Sequence, residues 1–545
     1  MRSIILYLLC ALLCLSMISC RNQEDESQGI QVTKPEKLVV YLNGIGSTGE
    51  DGRELYPTSF TIGPRAFRGV ITASEGNIFK QALEEYEEKT GIQIEIHYLD
   101  EYGKDKRFML QELYEDGEDM PDLVIASKHH TYDYYNMISQ GLLLDLTPYI
   151  ENDEARQDDD LYYQKVLDAG KIKGQQYIIP LTFNLNALIT SEEYLQRIGM
   201  QLPEENVSYE DVIYLLNRSC EEMQQNHGIE AIYDSSFINS GQYIMDILLS
   251  SAYSSYFGEN VDSIRISEKV LAQINELMGK YIKQEYTNVY GYETMSFSIL
   301  RRIGGGKKMY VQNMMSGQDE SIGIFLTGGR GGGTNEYHNI LTDAAYFNSV
   351  YQDRDTSMVM KGIPTYENDQ AYSANVDTMM FSFADCQYPE AVYDLMCYLM
   401  DYPLMMEAGL SINREITEKQ LEDVQNTFIS VYPDELSWNR MLNGMMTKDE
   451  IQKSMIQIEP LNEKSVETIR FMLDHMESAG VSYYPLEGLL LNRVLNEIGE
   501  GTMTSEEAAE WTLARLRERK ELFESQVIFY DEQYEYNILG WEIPE

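Results

Sequence analysis

Apolar and polar residues change period along this chain in a way that alternates strand with helix from the start. Lys37 to Leu42 (KLVVYL) has the length and apolar density of a strand, and Gly91 to Leu99 (GIQIEIHYL) alternates as a strand does. Between them, Asn77 to Thr90 sets Phe79, Leu83 and Tyr86 on one helical face, and Gly91 follows as a C-terminal cap. Lys104 to Glu115 predicts a second amphipathic helix, Leu123 to Ala126 a buried strand, and Tyr132 to Gln140 a helix that stops at Gly141. Leu161 to Ala169 reads as a helix and Gly174 to Thr190 as two extended pieces. Helices are expected near 192–198, 209–225, 240–255 and 267–283, a strand near Val376 to Phe383, and helices near 388–400 and 402–408. From 416 to 524 the pattern predicts mostly helix, and no internal repeat is visible. Strand and helix in alternation point to an α/β architecture.

The longest apolar run stands at the N-terminus, where residues 4–18 read IILYLLCALLCLSMI and end at Ser19-Cys20. A membrane-spanning helix needs about 20 apolar residues, so this shorter run reads as a signal peptide over 1–19. Met17-Ile18-Ser19-Cys20 is similar to a bacterial lipobox, in which Cys20 becomes the lipidated first residue of the mature chain. The polar stretch 20–36 suits a flexible, lipid-anchored linker, which places the protein on the extracellular face of the cell membrane. Secretion with cleavage elsewhere is the alternative.

Composition narrows the function. The chain has 545 residues, 43% of them apolar, which supplies more than one sizeable core and excludes disorder of the whole. Its formal net charge of −47 opposes phosphate backbones and anionic lipid surfaces, so no nucleic-acid partner is expected and the membrane is met through the anchor alone. Once Cys10 and Cys14 leave with the signal and Cys20 is lipidated, Cys220, Cys386 and Cys397 remain. Three thiols cannot all pair internally, and they read as small buried apolar groups.

Motifs for chemistry are mostly wanting. Gly44-Ile45-Gly46-Ser47-Thr48-Gly49 has dinucleotide-loop spacing, yet no helix is expected after it, so it reads as a flexible surface loop. Gly304 to Gly306 with Lys307 lacks the spacing of a phosphate loop, and no nucleophile elbow occurs. The six histidines form no metal-ligating pattern. Asp158-Asp159-Asp160 reads as a solvated acidic turn. No catalytic residue, metal or cofactor is therefore expected, although carboxylates are too abundant for a glycosidase pair to be located or dismissed.

Several segments, in order, resemble extracellular solute-binding protein family 1, the maltose-binding-protein-like substrate-binding lipoproteins of ABC importers. NIFKQALEEYEEKTGIQIEIHY is similar to its first helix and second strand; MPDLVIAS with ISQGLLLDLTPYI to its "PD" strand and following turn; GKIKGQQYIIPL to its "GK.YG.P" hairpin. IGGGKKMYVQ, PEAVYDLMCYLMD with AGLSINREI, and TSEEAAEWTLARLRERKELFE resemble later elements, so the likeness spans about residues 75–524. It departs at Ile189 to Tyr194, at Met314-Met315 where a Trp often stands, and in the additional stretch 43–70 and the tail after Phe523.

The resemblance implies a two-lobed, type II periplasmic-binding-protein-like clamp with discontinuous lobes and hinge strands: lobe 1 over 37–185 and 376–414, and a helix-rich lobe 2 over 186–375 and 415–545. It implies capture of a small solute, with carbohydrate or oligosaccharide the expected class, and delivery by a monomer to ABC permease subunits. Because open α/β sheets bind beyond the carboxyl ends of their strands, the loop after Leu123 to Ala126 supplies His129, His130, Tyr132 and Asp133 as ligand-binding candidates, or else merely caps a helix. Thr182 and Asn184 follow from the Pro180 strand, and Tyr253, Tyr256, Tyr483, Tyr484 and Glu487 are the candidates from the other lobe, tyrosine joining a stacking face to a polar tip. An orphan clamp-type sensor or adhesion lipoprotein and a surface carbohydrate-active enzyme are the competing readings.

Overall fold

The computed structural model describes residues 34–48, 54–55, 78–101, 117, 119–127, 134–203, 206–225, 232–234, 240–253, 265–292, 324–328, 339–352, 357–403, 409–426, 429–431, 456–458, 460–481, 494–495 and 497–523. The chain separates into Met1–Pro35 and Glu36–Glu545; only Lys34 and Pro35 of the first unit are described. Every described helix and strand belongs to the second unit.

Its strands, in chain order, are β1 (Lys37–Thr48), β2 (Glu54–Leu55), β3 (Gln93–Glu101), β4 (Leu123–Ser127), β5 (Lys171–Ile172), β6 (Gln175–Gln176), β7 (Ile179–Leu185), β8 (Ala187–Ser191), β9 (Ile232–Asp234), β10 (Ile324–Thr327), β11 (Met358–Gly362), β12 (Tyr372–Phe381), β13 (Leu410–Ser411), β14 (Ile429–Val431), β15 (Ile456–Ile458) and β16 (Met476–Gly480). The larger sheet runs β13-β7-β12-β4-β1-β2, with β3 paired to β1 and β16 to β12. A four-stranded sheet runs β11-β8-β10-β9, and β5-β6 and β14-β15 are separate antiparallel pairs.

Every residue of β4, β7, β8 and β12 is buried, so these strands are covered on both faces and lack the alternation of a half-exposed sheet. The Ile78–Thr90 helix buries Phe79, Ala82, Leu83 and Tyr86, the stripe its period predicts. It ends at Gly91, whose φ of 68° and whose amide bond to the Glu87 carbonyl at 2.7 Å close the last turn. The Tyr86 hydroxyl donates to Asp394 at 2.9 Å and ties this helix to Pro389–Met400. Around the smaller sheet lie the helices Tyr209–Gln225, Ser240–Ala252, Glu268–Tyr292 and Ile340–Gln352, and Ser505–Phe523 packs on Glu268–Tyr292.

The chain passes between the sheets more than once. Asn186 alone separates β7 from β8, and residues 363–371 separate β11 from β12. A third departure follows β13 into the helix Arg414–Asn426. That departure is anchored: Tyr163 N–H donates to the Ile412 carbonyl at 3.1 Å and Arg414 N–H to the Leu161 carbonyl at 2.9 Å. Asp401 gathers the same place together, receiving Arg156 on both carboxylate oxygens (3.2 and 2.9 Å), the Tyr162 hydroxyl, and Asn413 Nδ2 at 3.2 Å.

Two expectations are corrected. Gly44 to Gly49 is no loop as far as Thr48: β1 continues through it, with Ser47 and Thr48 paired to both β2 and β3 across a register shift that glycine backbones accommodate. The stretch after 416 is interrupted by β14, β15 and β16; Met476–Gly480 has little strand propensity and becomes one because β12 offers a parallel partner. The expected helices at 104–115 and, from 404 on, 402–408 lie outside the described residues.

Asp122 shows why "PD" precedes a buried strand. Its carboxylate accepts the Val39 amide at 2.7 Å, its amide donates to the Val39 carbonyl at 2.9 Å, and its carbonyl accepts the Ser382 hydroxyl at 2.7 Å, joining β1 to the β4 entrance and the end of β12. Burial raises its carboxyl pKa, the Val39 and Cys386 bonds only partly opposing it. Asp122→Ala is expected to cost about 1–3 kcal/mol, read by urea unfolding. Because the folded value is the higher one, the Asp122 contribution is fullest below the unfolded value of about 3.9 and declines as pH rises through the folded value. Asp122→Asn should remove that decline, and an unchanged pH slope would contradict the assignment.

Candidate functional site

Among the described residues the structure brings Thr182 and Asn184 together on one face of β7, two positions apart. Thr182 stands opposite Thr378 of β12 and opposite Ser411 of β13, and Thr378 stands opposite Ser127 of β4. Directly paired residues share a face. The result is a row of hydroxyls, Ser411, Thr182, Thr378 and Ser127, crossing four adjacent strands with every member at most 3% exposed. Ser127 is the last residue of β4, so the row ends at the carboxyl edge of that strand, where α/β sheets receive ligands.

Ser411 Oγ accepts the Asn413 amide at 3.2 Å, whereas Ser127 Oγ and Thr182 Oγ1 have no hydrogen-bond partner among the described residues. A buried hydroxyl left unpaired costs about 1–3 kcal/mol. Asp377 lies at a register shift between Val376 and Thr378 and is 8% exposed. Gly409, at φ 98°, makes room beside it: a Cβ there would sit 2.9 Å from Asp377 Oδ2 and 3.0 Å from the Phe183 carbonyl. The site thus offers neutral donors and acceptors beside a buried carboxyl group.

Other candidates are engaged in packing. Asn184 Oδ1 accepts the Leu185 amide at 2.9 Å and the Ile340 amide at 3.0 Å, the latter at the start of the Ile340–Gln352 helix. Tyr253 is buried beside Tyr366, and its hydroxyl accepts the Ser267 amide at 3.3 Å just before the Glu268–Tyr292 helix. His129, His130, Tyr132, Asp133, Tyr256, Tyr483, Tyr484, Glu487 and the lipidation candidate Cys20 lie outside the described residues. An open depression bordered by Tyr149, Asp153, Glu154 and Tyr393 shares no residue with the hydroxyl row.

Sequence reasoning passed over Ser127, Thr378, Asp377 and Ser411. The available signal was the set of polar residues inside the otherwise apolar run Tyr372–Phe381, which costs stability unless it serves a bonding role.

Among the described residues no group of three or more His, Cys, Asp or Glu side chains could hold a metal ion, and no helix is long and apolar enough to cross a membrane. Residues 72–211 match the family model of the bacterial extracellular solute-binding proteins. The resemblance to that family holds. The matched span contains β3, β4, β7 and β8, hence Ser127, Thr182 and the first passage between sheets. No curated protein matches the chain in sequence.

Among solved structures, an ABC substrate-binding protein of Listeria monocytogenes, Lmo0181, in complex with cycloalternan is 13% identical, over 90% of this chain and 100% of its own, with a TM-score of 0.50. A de novo designed cysteine esterase is 12% identical at the same coverage and TM-score. The GacH receptor of Streptomyces glaucescens, solved unliganded and with acarbose, is 12% identical over 90% of this chain and 99% of its own, with a TM-score of 0.46. At such identities the likeness is one of fold. The chain has the α/β, two-lobed periplasmic-binding-protein-like architecture of solute-binding proteins.

Burial raises the pKa of all three described thiols, that of Cys220 to about 12. The native chain should therefore label slowly at Cys220, Cys386 and Cys397 with a thiol reagent at pH 8, Cys220 slowest, and quickly once unfolded. Peptide mapping by mass spectrometry checks this; fast native labelling of Cys220 would contradict its burial.

Proposed function

We propose that the chain is the lipid-anchored extracellular solute-binding protein of an ABC importer, and that it captures a small uncharged solute, a carbohydrate or oligosaccharide, between two lobes that close around it. The unpartnered, buried Thr182 and Ser127 hydroxyls at the carboxyl edge of β4 carry this reading. They stand ready to exchange hydrogen bonds with a hydroxyl-rich guest, and Asp377 offers an acceptor beside them. Contacts from both lobes exist together only in the closed arrangement, so a solute that makes both favours closure by its differential affinity. The closed body is then what the permease subunits receive.

In this reading lobe 1 comprises 37–185 and 376–414, and lobe 2 comprises 186–375 and 415–545. Membership of the larger sheet supports adding 372–375 and Met476–Gly480 to lobe 1. The family likeness supports binding without catalysis as the function. His129, His130, Tyr132 and Asp133, which follow β4 in the chain, and Tyr256, Tyr483, Tyr484 and Glu487 remain proposed contacts.

A thermal-shift screen against neutral mono- and oligosaccharides, polyols and peptides tests the reading, because a guest bound only by the native state raises its melting temperature. Thr182→Val should leave the unliganded melting point unchanged or slightly higher, since it replaces an unpaired hydroxyl by a methyl group. It should weaken the solute found by about 5- to 150-fold, the equivalent of about 1–3 kcal/mol. If no solute shifts the melting point and the chain instead cleaves a glycan, binding without chemistry is wrong.

Anchoring is tested separately. Expressed in a Gram-positive host with a labelled fatty acid, the chain should carry label and remain with the membrane, and Cys20→Ala should abolish the label. Label that persists in Cys20→Ala would rule out Cys20 as the lipid attachment point.

A further inference from the structure

A concavity of about 830 Å³, apart from the hydroxyl row, opens between Tyr149, Asn152, Asp153, Glu154 and Tyr393. Three elements shape it: the short helix Thr147–Glu151, the turn Glu154–Gln157 and the helix Pro389–Met400. The half-buried rings of Tyr149 and Tyr393 meet there, 5.4 Å apart between centroids and tilted by 31°. The Tyr393 hydroxyl donates to Asp153 Oδ2 at 3.3 Å, and Asp153 Oδ1 accepts the Ala155 amide at 3.1 Å. Asn152 Nδ2 donates to the Pro148 carbonyl at 2.6 Å, and Gln157 Nε2 to the carbonyls of Ile150 and Glu151, both at 3.0 Å. The walls are thus tied down before any guest arrives, which lowers the ordering cost of binding.

We propose that this concavity is a second binding site, one for a small organic cation bearing a guanidinium or ammonium group. The inventory of donors and acceptors decides the class. Among the described residues no side chain donates to Glu154 or to Asn152 Oδ1. Of the side-chain donors, the Tyr393 proton is committed to Asp153 and one Asn152 N–H to Pro148, which leaves the Tyr149 hydroxyl and a single N–H. A sugar hydroxyl gives and takes hydrogen bonds alike, whereas guanidinium and ammonium only give them, so the surplus of acceptors selects a cation. Charge points the same way. Arg156 spends both terminal nitrogens on Asp401, at 3.2 and 2.9 Å, while its Nε stays 3.8 Å from Asp153 Oδ2, so one guanidinium serves two carboxylates. Glu154 adds a further negative charge, and no Lys or Arg side chain lines the concavity. Burial, then Glu390, raises the Tyr149 phenol, and burial, then Cys397 and Asp153, raises that of Tyr393; both rings stay neutral and offer electron-rich faces to a cation. The site takes no residue from the hydroxyl row and stands whether or not a sugar is captured there.

Isothermal titration of the chain with agmatine, which carries a guanidinium and an ammonium, tests the proposal, with a neutral alkylurea of the same length and sucrose as comparisons. One agmatine is expected to bind per chain, and neither neutral probe at this place. Glu154→Gln should weaken agmatine by about 1.5- to 5-fold, the range of an exposed ion pair, and Tyr149→Leu by about two- to fivefold, the range of an exposed cation–π contact. Glu154→Gln should leave the unliganded melting temperature unchanged, and it decides alone if Tyr149→Leu fails to fold. No binding of agmatine at millimolar concentration overturns the proposal. Binding that both variants leave intact overturns it too, being diffuse attraction to an acidic chain. Agmatine binding that is lost in Thr182→Val would lie at the hydroxyl row and reject this site. Sucrose that binds in place of agmatine and is lost in Tyr149→Leu would give the concavity to sugars, and a basic peptide that binds where agmatine fails would give it to a protein partner; either outcome rejects the small cation.

Discussion

Asn186 is the sole residue between a strand of one sheet and a strand of another, and the rest of the structure is arranged around what that allows. One residue is too short to let the two sheets be placed independently of one another. That residue lies in a buried place, and its polar atoms must therefore be bonded within the protein. Asparagine and serine fill that need through Asn184, Asn186, Asn375, Ser250 and Ser251, all but fully buried and nearly all bonded to one another or to backbone. The third departure, after β13, is held differently, by Arg156, Tyr162 and Asn413 on Asp401, so an ionic cluster fastens one connection where amides fasten another.

The hydroxyl row stands next to this joint, on the same strands. Thr182 and Asn184 are two residues apart on one face of β7, Thr182 in the row and Asn184 bonded to the start of the Ile340–Gln352 helix. Strands β7 and β12 carry both the row and the junction because they are the two covered on both faces and continued towards the smaller sheet, one by Asn186 and the other by 363–371.

The price of this arrangement is polar burial in the middle of the larger sheet. Apolar residues flank it on every side: Leu181, Phe183 and Leu185 on β7, and Val376, Met379 and Met380 on β12, each almost wholly buried. They stabilise the sheet in the ordinary way, by removing apolar surface from water. The Phe183 ring meets Tyr163 edge-on at 5.3 Å, which fixes β7 against the segment that also clasps Ile412. Core and joint are thus interleaved residue by residue.

Periodicity alone determined most elements of this protein: the stripe of Phe79, Leu83 and Tyr86, the alternation after Gly91, the buried runs at Leu123 and Ile179, and the helix Tyr209–Gln225 to its ends. Those features are local, since a side chain's face follows from its spacing within one element. The ordered likeness of short segments named the family and the two-lobed fold for the same reason, each match being a local packing rule. What only the tertiary structure decided is which polar residues meet. Ser127, Thr182, Thr378 and Ser411 come from four separate stretches, and nothing in any one of them announces the others; strand register across the sheet brings them into a line. Asn184 shows the same limit from the other side, for the residue type was legible and its bond to the Ile340 amide was not. Register and the meeting of distant backbones are set by the packing of the whole core, a property of the folded chain that no window of sequence contains.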